Sequence, residues 1–505
     1  MKNQRKIGVL LSYASEIIKI ITSLVYTPIM LRLLGQSEYG LYQLVYSVVS
    51  YLSLLSLGFT ASYVRFFSRY KARGQEDEIS RLNGMFLTVF IVIATIAVVC
   101  GSVMTIKIEA IFKNGLTTDE YDTARILMML MVLNLALTFP NSVFTCITSA
   151  HEKFFFQRLL LVLQNLLNPF LTLPLLLMGY GSIAMVVVTT VITIAHLVSN
   201  IWFVCFRLHA KFIFKGFDFS LLREIWGFTF FIFLNQIIDQ INWSVDRFLL
   251  GRMIGTSAVA IYSLGAQINS MYIMLSTSIS SVFVPKVNRI VAETNDDREL
   301  SVIFNSVGRI QFLVLSLVMT GFIFLGQPFM RFWGGKGYVD SYYVALWLII
   351  PVTVPLIQNL GIEIQRAKNK HKARAVVYFC IAIANIFLSI PLIRQFSSIG
   401  AAIGTAVALI VGNILFMNWY YHKHIGLDIP AFWKNILSFI PALILPAITG
   451  VAIMKFAHVN NLLQLILWAI VYGIVFSISM WLFGMNESEK GMILNIKNKI
   501  IHRRH

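Results

Sequence analysis

Long apolar stretches recur from one end of this 505-residue chain to the other. A helix needs about 20 consecutive apolar residues to cross a bilayer core. Stretches of that kind run over 7–31, 41–64, 82–106, 125–149, 154–178, 182–206 and 224–250. Others follow at 257–284, 302–326, 340–365, 373–393, 399–421, 433–454 and 461–484. The pattern predicts an all-α integral membrane protein with fourteen transmembrane helices. Charged residues make up 13% of the chain, against about 25% in soluble proteins. With 57% hydrophobic residues, lipid has to be part of the solvent. The opening "MKNQRK" and its apolar run imitate a secretory signal. Glu16 and Lys19 interrupt that run, which is long and lacks a small-residue cleavage site, so it reads as an uncleaved first span.

The formal charge is +18. Taken alone, that excess suggests nucleic acid. Its position argues otherwise. Alternate connections are rich in Lys and Arg, and by count about 30 of the 41 fall on one side. The positive-inside rule places that side, with both termini, in the cytoplasm. Both ends on one side require an even number of spans. The loops "KARGQEDEISR" (71–81) and "RAKNKHKAR" (366–374) are then topology signals, with anionic headgroup contact second. No nucleic-acid partner is expected. Cys100, Cys146, Cys205 and Cys380 are scattered without CxxC spacing or a neighbouring His cluster, so neither a disulfide nor a metal site is expected.

The two halves repeat. "LLGQSEYGLY" (33–42) aligns with "MIGTSAVAIY" (253–262), pairing Gly35 with Gly255, Ser37 with Ser257 and Tyr42 with Tyr262. Arg69 and Asp77 match Arg289 and Asp297 in the same register. Asn168 and Pro174 match Asn385 and Pro391. Six spans per repeat is an even number, so both copies insert with one orientation. The expected domains are a six-helix lobe at 1–215, a second at 216–425, and two further helices with a basic cytoplasmic tail at 426–505. Substrate sites in transporters built from repeats lie near the midplane between them.

Charges inside spans are costly, about 2.5–3.5 kcal/mol each on insertion scales. In the first span Ser12, Glu16, Lys19 and Ser23 share one helical face; in the seventh, Asn235, Asp239, Asn242 and Asp246 do the same. In the repeat register Lys19 corresponds to Asp239 and Glu16 to Gln236. One reading has the stripes facing a hydrated cavity, where Lys19 attracts an anionic headgroup and Glu16, Asp239 or Asp246 titrates or binds a cation. The other has Glu16 and Lys19 pairing along their own helix. Gln164, Asn165, Asn168, Gln358, Asn359, Glu363 and Arg366 line the same cavity or bond helices together, the latter favoured for the amides. Arg32, Arg247 and Arg252 lie near outer helix ends, where they can snorkel. Arg65 and Arg374 can snorkel on the inner side or meet phosphate. "GAAIG" (400–404) is a close-packing face, and "GGKG" (334–337) lacks the spacing of a nucleotide loop. No nucleotide-binding domain or other cofactor site is legible.

Two six-helix lobes plus two helices, "LLGQSEYGLY" after the first span and "DRFLLGRMIGTSAVAIY" (246–262) in the second lobe form one pattern. It resembles the polysaccharide exporters, the lipid-linked oligosaccharide flippases of the multidrug/oligosaccharidyl-lipid/polysaccharide superfamily. The resemblance implies a polyprenyl-diphosphate-linked oligosaccharide as substrate, moved to the outer leaflet of a bacterial plasma membrane. It also implies glycosyltransferase and polymerase partners, with H+ or Na+ as the candidate coupling cation. Lys19 is the first candidate for the diphosphate, followed by Arg32, Arg65 and Arg247. A drug or organic-cation antiporter of the same superfamily is the nearest rival; Glu16, Asp239, Asp246 and Glu363 supply carboxylates for it. A cell-wall or spore-wall precursor flippase is a second rival. A membrane-embedded glycosyltransferase is a third, and it needs a long external loop or soluble domain that the spans leave no room for.

Overall fold

With no water to bond to, backbone inside a bilayer satisfies itself by forming helices or closed barrels. This chain takes the first route. A computed structural model describes residues 2–491 and 494, except 57, 113, 114, 217, 218, 371 and 458. The side chains of 2–14, 16, 17, 61, 219, 228, 231, 232, 235, 372, 373 and 375 also lie outside the description. All regular structure among the described residues is helical. Ten helices are long and apolar enough to cross a membrane, or eleven if Ile429–Leu437 and Ile440–Phe456, bent by 41°, count as one span. The protein is therefore a multi-pass membrane protein. Two runs are broken internally, at Gly35 (φ +75°) and Ser397 (φ +51°). A residue with positive φ does not continue a right-handed helix. A count by length is thus a count of continuous runs, not of the fourteen expected spans. Phe170 is 77% exposed and Phe456 81%, a poor arrangement in water and a natural one against acyl chains.

The chain divides into two compact units, Met1–Ser263 and Leu264–His505. The first holds α1 (Lys2–Ser50), α2 (Phe59–Ala72), α3 (Glu76–Ile106), α4 (Ile108–Phe112), α5 (Thr118–Ala150), α6 (Phe154–Leu177), α7 (Gly181–Trp202), α8 (Phe219–Met253) and the start of α9 (Thr256–Ser281). Helix α5 packs on α1, α3 and α7, and α6 packs on α1. An aromatic core forms where α2, α3 and α5 meet, around Tyr63, Phe66, Phe67, Phe86 and Phe144. A buried phenol needs a partner, and Tyr63 donates to Asn83 Oδ1 at 2.5 Å.

The second unit continues α9 and adds α10 (Val284–Glu293), α11 (Asp297–Trp333), α12 (Ser341–Ile357), α13 (Asn359–Ala367), α14 (Lys372–Leu409), α15 (Met417–Tyr420), α16 (Ile429–Leu437), α17 (Ile440–Phe456) and α18 (Leu462–Ser479). Helix α11 packs against α12, α16, α17 and α18. Its Arg309 is buried and fully engaged. The guanidinium donates to Glu489 at 2.6 and 2.9 Å, to the Asn435 carbonyl at 2.8 Å, to Ser438 Oγ at 2.9 Å and to the Gly484 carbonyl at 3.0 Å. It also lies 4.3 Å from the Phe439 ring centroid. A buried ion pair is tolerated only with its remaining polar groups satisfied, and this clasp satisfies them.

Two asparagines paired in the sequence make matching hydrogen bonds. In the first unit Asn168 donates to Thr189 Oγ1 at 3.1 Å and accepts from Thr172 at 3.4 Å. In the second, Asn385 donates to Thr405 Oγ1 at 3.4 Å and accepts from Ser389 at 3.2 Å. Each asparagine takes a hydroxyl from one turn along its own helix and donates to a threonine further along the chain. Gly35 and Gly255, paired in the sequence, both adopt positive φ.

Candidate functional site

The stretch "GQSEYG", Gly35–Gly40, closes one end of the first unit. Gly35 supplies the positive φ that breaks α1. Ser37 donates to Glu120 Oε1 at 2.5 Å, and Thr256 Oγ1 donates to the same oxygen at 2.8 Å. Glu120 Oε2 accepts the Thr117 backbone N–H at 2.9 Å, capping α5. Glu38 accepts the Ser182 N–H at 2.5 Å, a carboxylate placed at the N-terminus of α7 where the helix dipole favours it. Tyr39 is buried and accepts from Gln43 at 3.0 Å. Gly40 touches the backbone of Thr256 so closely that a methyl group would overlap the Thr256 carbonyl. The stretch thus joins the break in α1 to the starts of α5, α7 and α9. It is an architectural knot, with its polar groups already engaged in the fold.

A cavity of about 320 Å³ lies among α1, α5, α7 and α8. Helix α1 contributes Tyr42, Tyr46 and Ser50, with Ser53 just beyond its end. These recur every three or four residues and so share one face. The lining also includes Asn134 of α5, Thr189 of α7 and Gln240 of α8. The amides are held in place. Asn134 Nδ2 donates to Thr190 at 3.4 Å and Thr193 at 3.1 Å. Gln240 Nε2 donates to Ser50 at 2.5 Å and Ser244 at 2.8 Å. Among the described residues lining this cavity there is no Lys, Arg, His, Asp or Glu.

The sequence profile of the polysaccharide biosynthesis protein family matches residues 6–291, more than half of the chain. The protein belongs to this family. It is 21% identical over 495 residues to an uncharacterized membrane protein, EpsK, of Bacillus subtilis, covering 95% of each chain. It is 20% identical over 401 residues to a putative O-antigen transporter of Shigella flexneri, covering 78% of this chain and 91% of that one. The solved lipid II flippase MurJ, in an inward closed conformation, aligns at TM-score 0.72 and 18% identity, over 93% of this chain and 98% of that one. That likeness establishes the fold. The functions named among these proteins are transport and lipid flipping, not catalysis.

In this polysaccharide biosynthesis protein the polar residues singled out by the sequence have the following surroundings. Lys19, Arg32, Arg65 and Asp239 are exposed. Arg65 lies 6.0 Å from the Phe66 ring centroid. The Glu16 and Asn235 side chains lie outside the described residues. Asn242 is half-buried. Asp246 is 1% exposed and accepts from Tyr262 at 2.6 Å. Its neighbour Arg247 donates to Ser263 Oγ and to the Trp243 carbonyl, each at 3.2 Å. Glu363 and Arg366 form a pair at 2.8 Å on α13. The amides tie helices: Asn165 donates to Ser15 at 3.3 Å, Gln358 to Asn418 at 2.8 Å and Asn359 to Ser280 at 3.0 Å. The cavity lining itself went unsignalled as a site; only Tyr42 stood out, and as a repeat match. The spacing of Tyr42, Tyr46, Ser50 and Ser53 would have revealed it under the same rule that exposed the charged stripes.

Proposed function

We propose that this protein is a flippase for polyprenyl-diphosphate-linked oligosaccharide repeat units. It carries them from the cytoplasmic to the outer leaflet of a bacterial plasma membrane, supplying a surface polysaccharide of the O-antigen, capsule or teichuronic type. The observation that carries this reading is membership of the polysaccharide biosynthesis protein family, reinforced by a relative named as an O-antigen transporter and matched over 91% of its length. Both termini lie in the cytoplasm, and the lobes at 1–215 and 216–425 alternate in access. The diphosphate is met by Lys19, Arg32, Arg65 and Arg247. Glu16, Asp239, Asp246 and Glu363 are the candidates to exchange a coupling H+ or Na+, and Asn242 completes the polar stripe. Glycosyltransferases supply the substrate and a polymerase consumes it.

The exposure of Lys19, Arg32 and Arg65 supports this reading, since an anionic headgroup can reach them. The cavity lining supports it over a drug-cation antiporter, which needs a carboxylate where this cavity has amides, hydroxyls and phenols. The test is deletion of the gene in its native host, with quantification of surface polysaccharide and of lipid-linked repeat units on the cytoplasmic leaflet. Loss of the first with accumulation of the second is expected. Normal amounts of both, in a strain without a redundant exporter, would overturn the proposal.

A further inference from the structure

We propose that the cavity among α1, α5, α7 and α8 is a subsite for an uncharged sugar ring. It rests on the flippase reading only for the identity of the parent molecule. Three observations converge on it.

The first is size. At about 320 Å³ the cavity sits at the low end of small-molecule sites, roughly 300–1,000 Å³. That suits one part of an oligosaccharide and not a whole repeat unit.

The second is the arrangement of acceptors. Asn134 directs its amide N–H groups to Thr190 and Thr193, and Gln240 directs its own to Ser50 and Ser244. Among the described residues no hydrogen bond uses either side-chain carbonyl oxygen. Each amide, itself a lining residue, therefore brings the cavity an unused acceptor, with its position set by the bonds its nitrogen makes. Hydroxyl groups of a sugar are donors suited to such acceptors. Tyr46, 52% exposed, adds an aromatic face for the C–H side of a ring, and Val49, Met131 and Val186 add apolar wall.

The third is charge. A uronate or other carboxylated sugar would lose hydration here without meeting a cation, and an organic cation would do so without meeting a carboxylate. The lining therefore selects for polarity without net charge.

The experiment uses the full chain in lipid nanodiscs, with Ser53→Cys as reporter and the four native cysteines replaced by serine. Maleimide labelling is timed with methyl N-acetylglucosaminide, methyl glucoside, methyl glucuronide or tetraethylammonium. At least one neutral glycoside slows labelling roughly tenfold at saturation, as expected when a bound ring fills a cavity of this size and blocks access to residue 53. Glucuronide and tetraethylammonium change it by less than about twofold, and Asn134→Leu removes the protection. No protection by either neutral glycoside, or equal protection by the charged probes, overturns the assignment. Should the cysteine-free protein fail to fold, saturation-transfer NMR with the same four compounds on the unsubstituted chain separates the same outcomes. Translocation of a polyprenyl-diphosphate-linked oligosaccharide is measured in parallel. Protection without translocation removes the flippase reading and keeps the subsite; translocation without protection does the reverse.

Discussion

Ser37 Oγ lies 2.5 Å from Glu120 Oε1, and the two residues stand 83 positions apart in sequence. Thr256 donates to the same oxygen, so one carboxylate gathers two hydroxyls from separate helices. Glu120→Ala is expected to lower unfolding stability by about 1–2 kcal/mol, partial exposure having reduced the strength of these charged hydrogen bonds. Thermal unfolding in detergent measures it. In a cycle of Ser37→Ala with Thr256→Ala the effects should fall short of additivity by about 0.5 kcal/mol, because the two hydroxyls lie 2.9 Å apart and both answer to Glu120. Strict additivity would show that the three groups do not act as one cluster.

Gly40 and Gly473 make a matched contrast. A methyl on Gly40 overlaps the Thr256 carbonyl, while nothing lies within 4 Å of one on Gly473. Gly40→Ala should cost about 1–3 kcal/mol, as overpacking does. Gly473→Ala should be neutral, or stabilising by up to about 1 kcal/mol through helix propensity. Expression yield and melting temperature of the two variants decide the matter, and equal behaviour would mean the close approach is not rigid.

Asn168 and Asn385 hold equivalent positions in their hydrogen-bond patterns. Asn168→Leu and Asn385→Leu should each lose about 0.6–1.7 kcal/mol, the range for interhelical polar contacts in membranes. A loss confined to one of them would mean that the matched pattern does unequal structural service in the two halves.

Lys19 is exposed on α1. If it meets the diphosphate, Lys19→Glu should reduce translocation more than tenfold, since like charge repels an anionic headgroup, with roughly 1.4 kcal/mol per tenfold. Lys19→Arg should keep most of the activity. Translocation of a fluorescent lipid-linked oligosaccharide into vesicles reads both. Wild-type rates in Lys19→Glu would remove this residue from the headgroup site.

Membrane insertion and helical class were legible in the sequence, because each is written in one-dimensional spacing. The amides Asn165, Asn168, Gln358 and Asn359 were legible as polar groups inside spans, and their partners show them joining helices. The meaning of "GQSEYG" was less accessible. It lies within the part of the chain that matches the family profile, and its residues are engaged with Glu120, Ser182 and Thr256, positions far along the chain. The cavity was hidden for a related reason. Asn134, Thr189 and Gln240 belong to three different helices, and only packing brings them to one place.

The clasp around Arg309 bears on how this protein can be handled in the laboratory. Its carboxylate partner, Glu489, belongs to the last described turns of the chain, past the final membrane helix. An affinity tag or fluorescent protein joined directly after Gly484 would leave a buried guanidinium facing no anion, and detergent extraction would then yield an aggregating product. A trimmed or fused version of the protein has to keep 485–489, so that Glu489 still reaches Arg309.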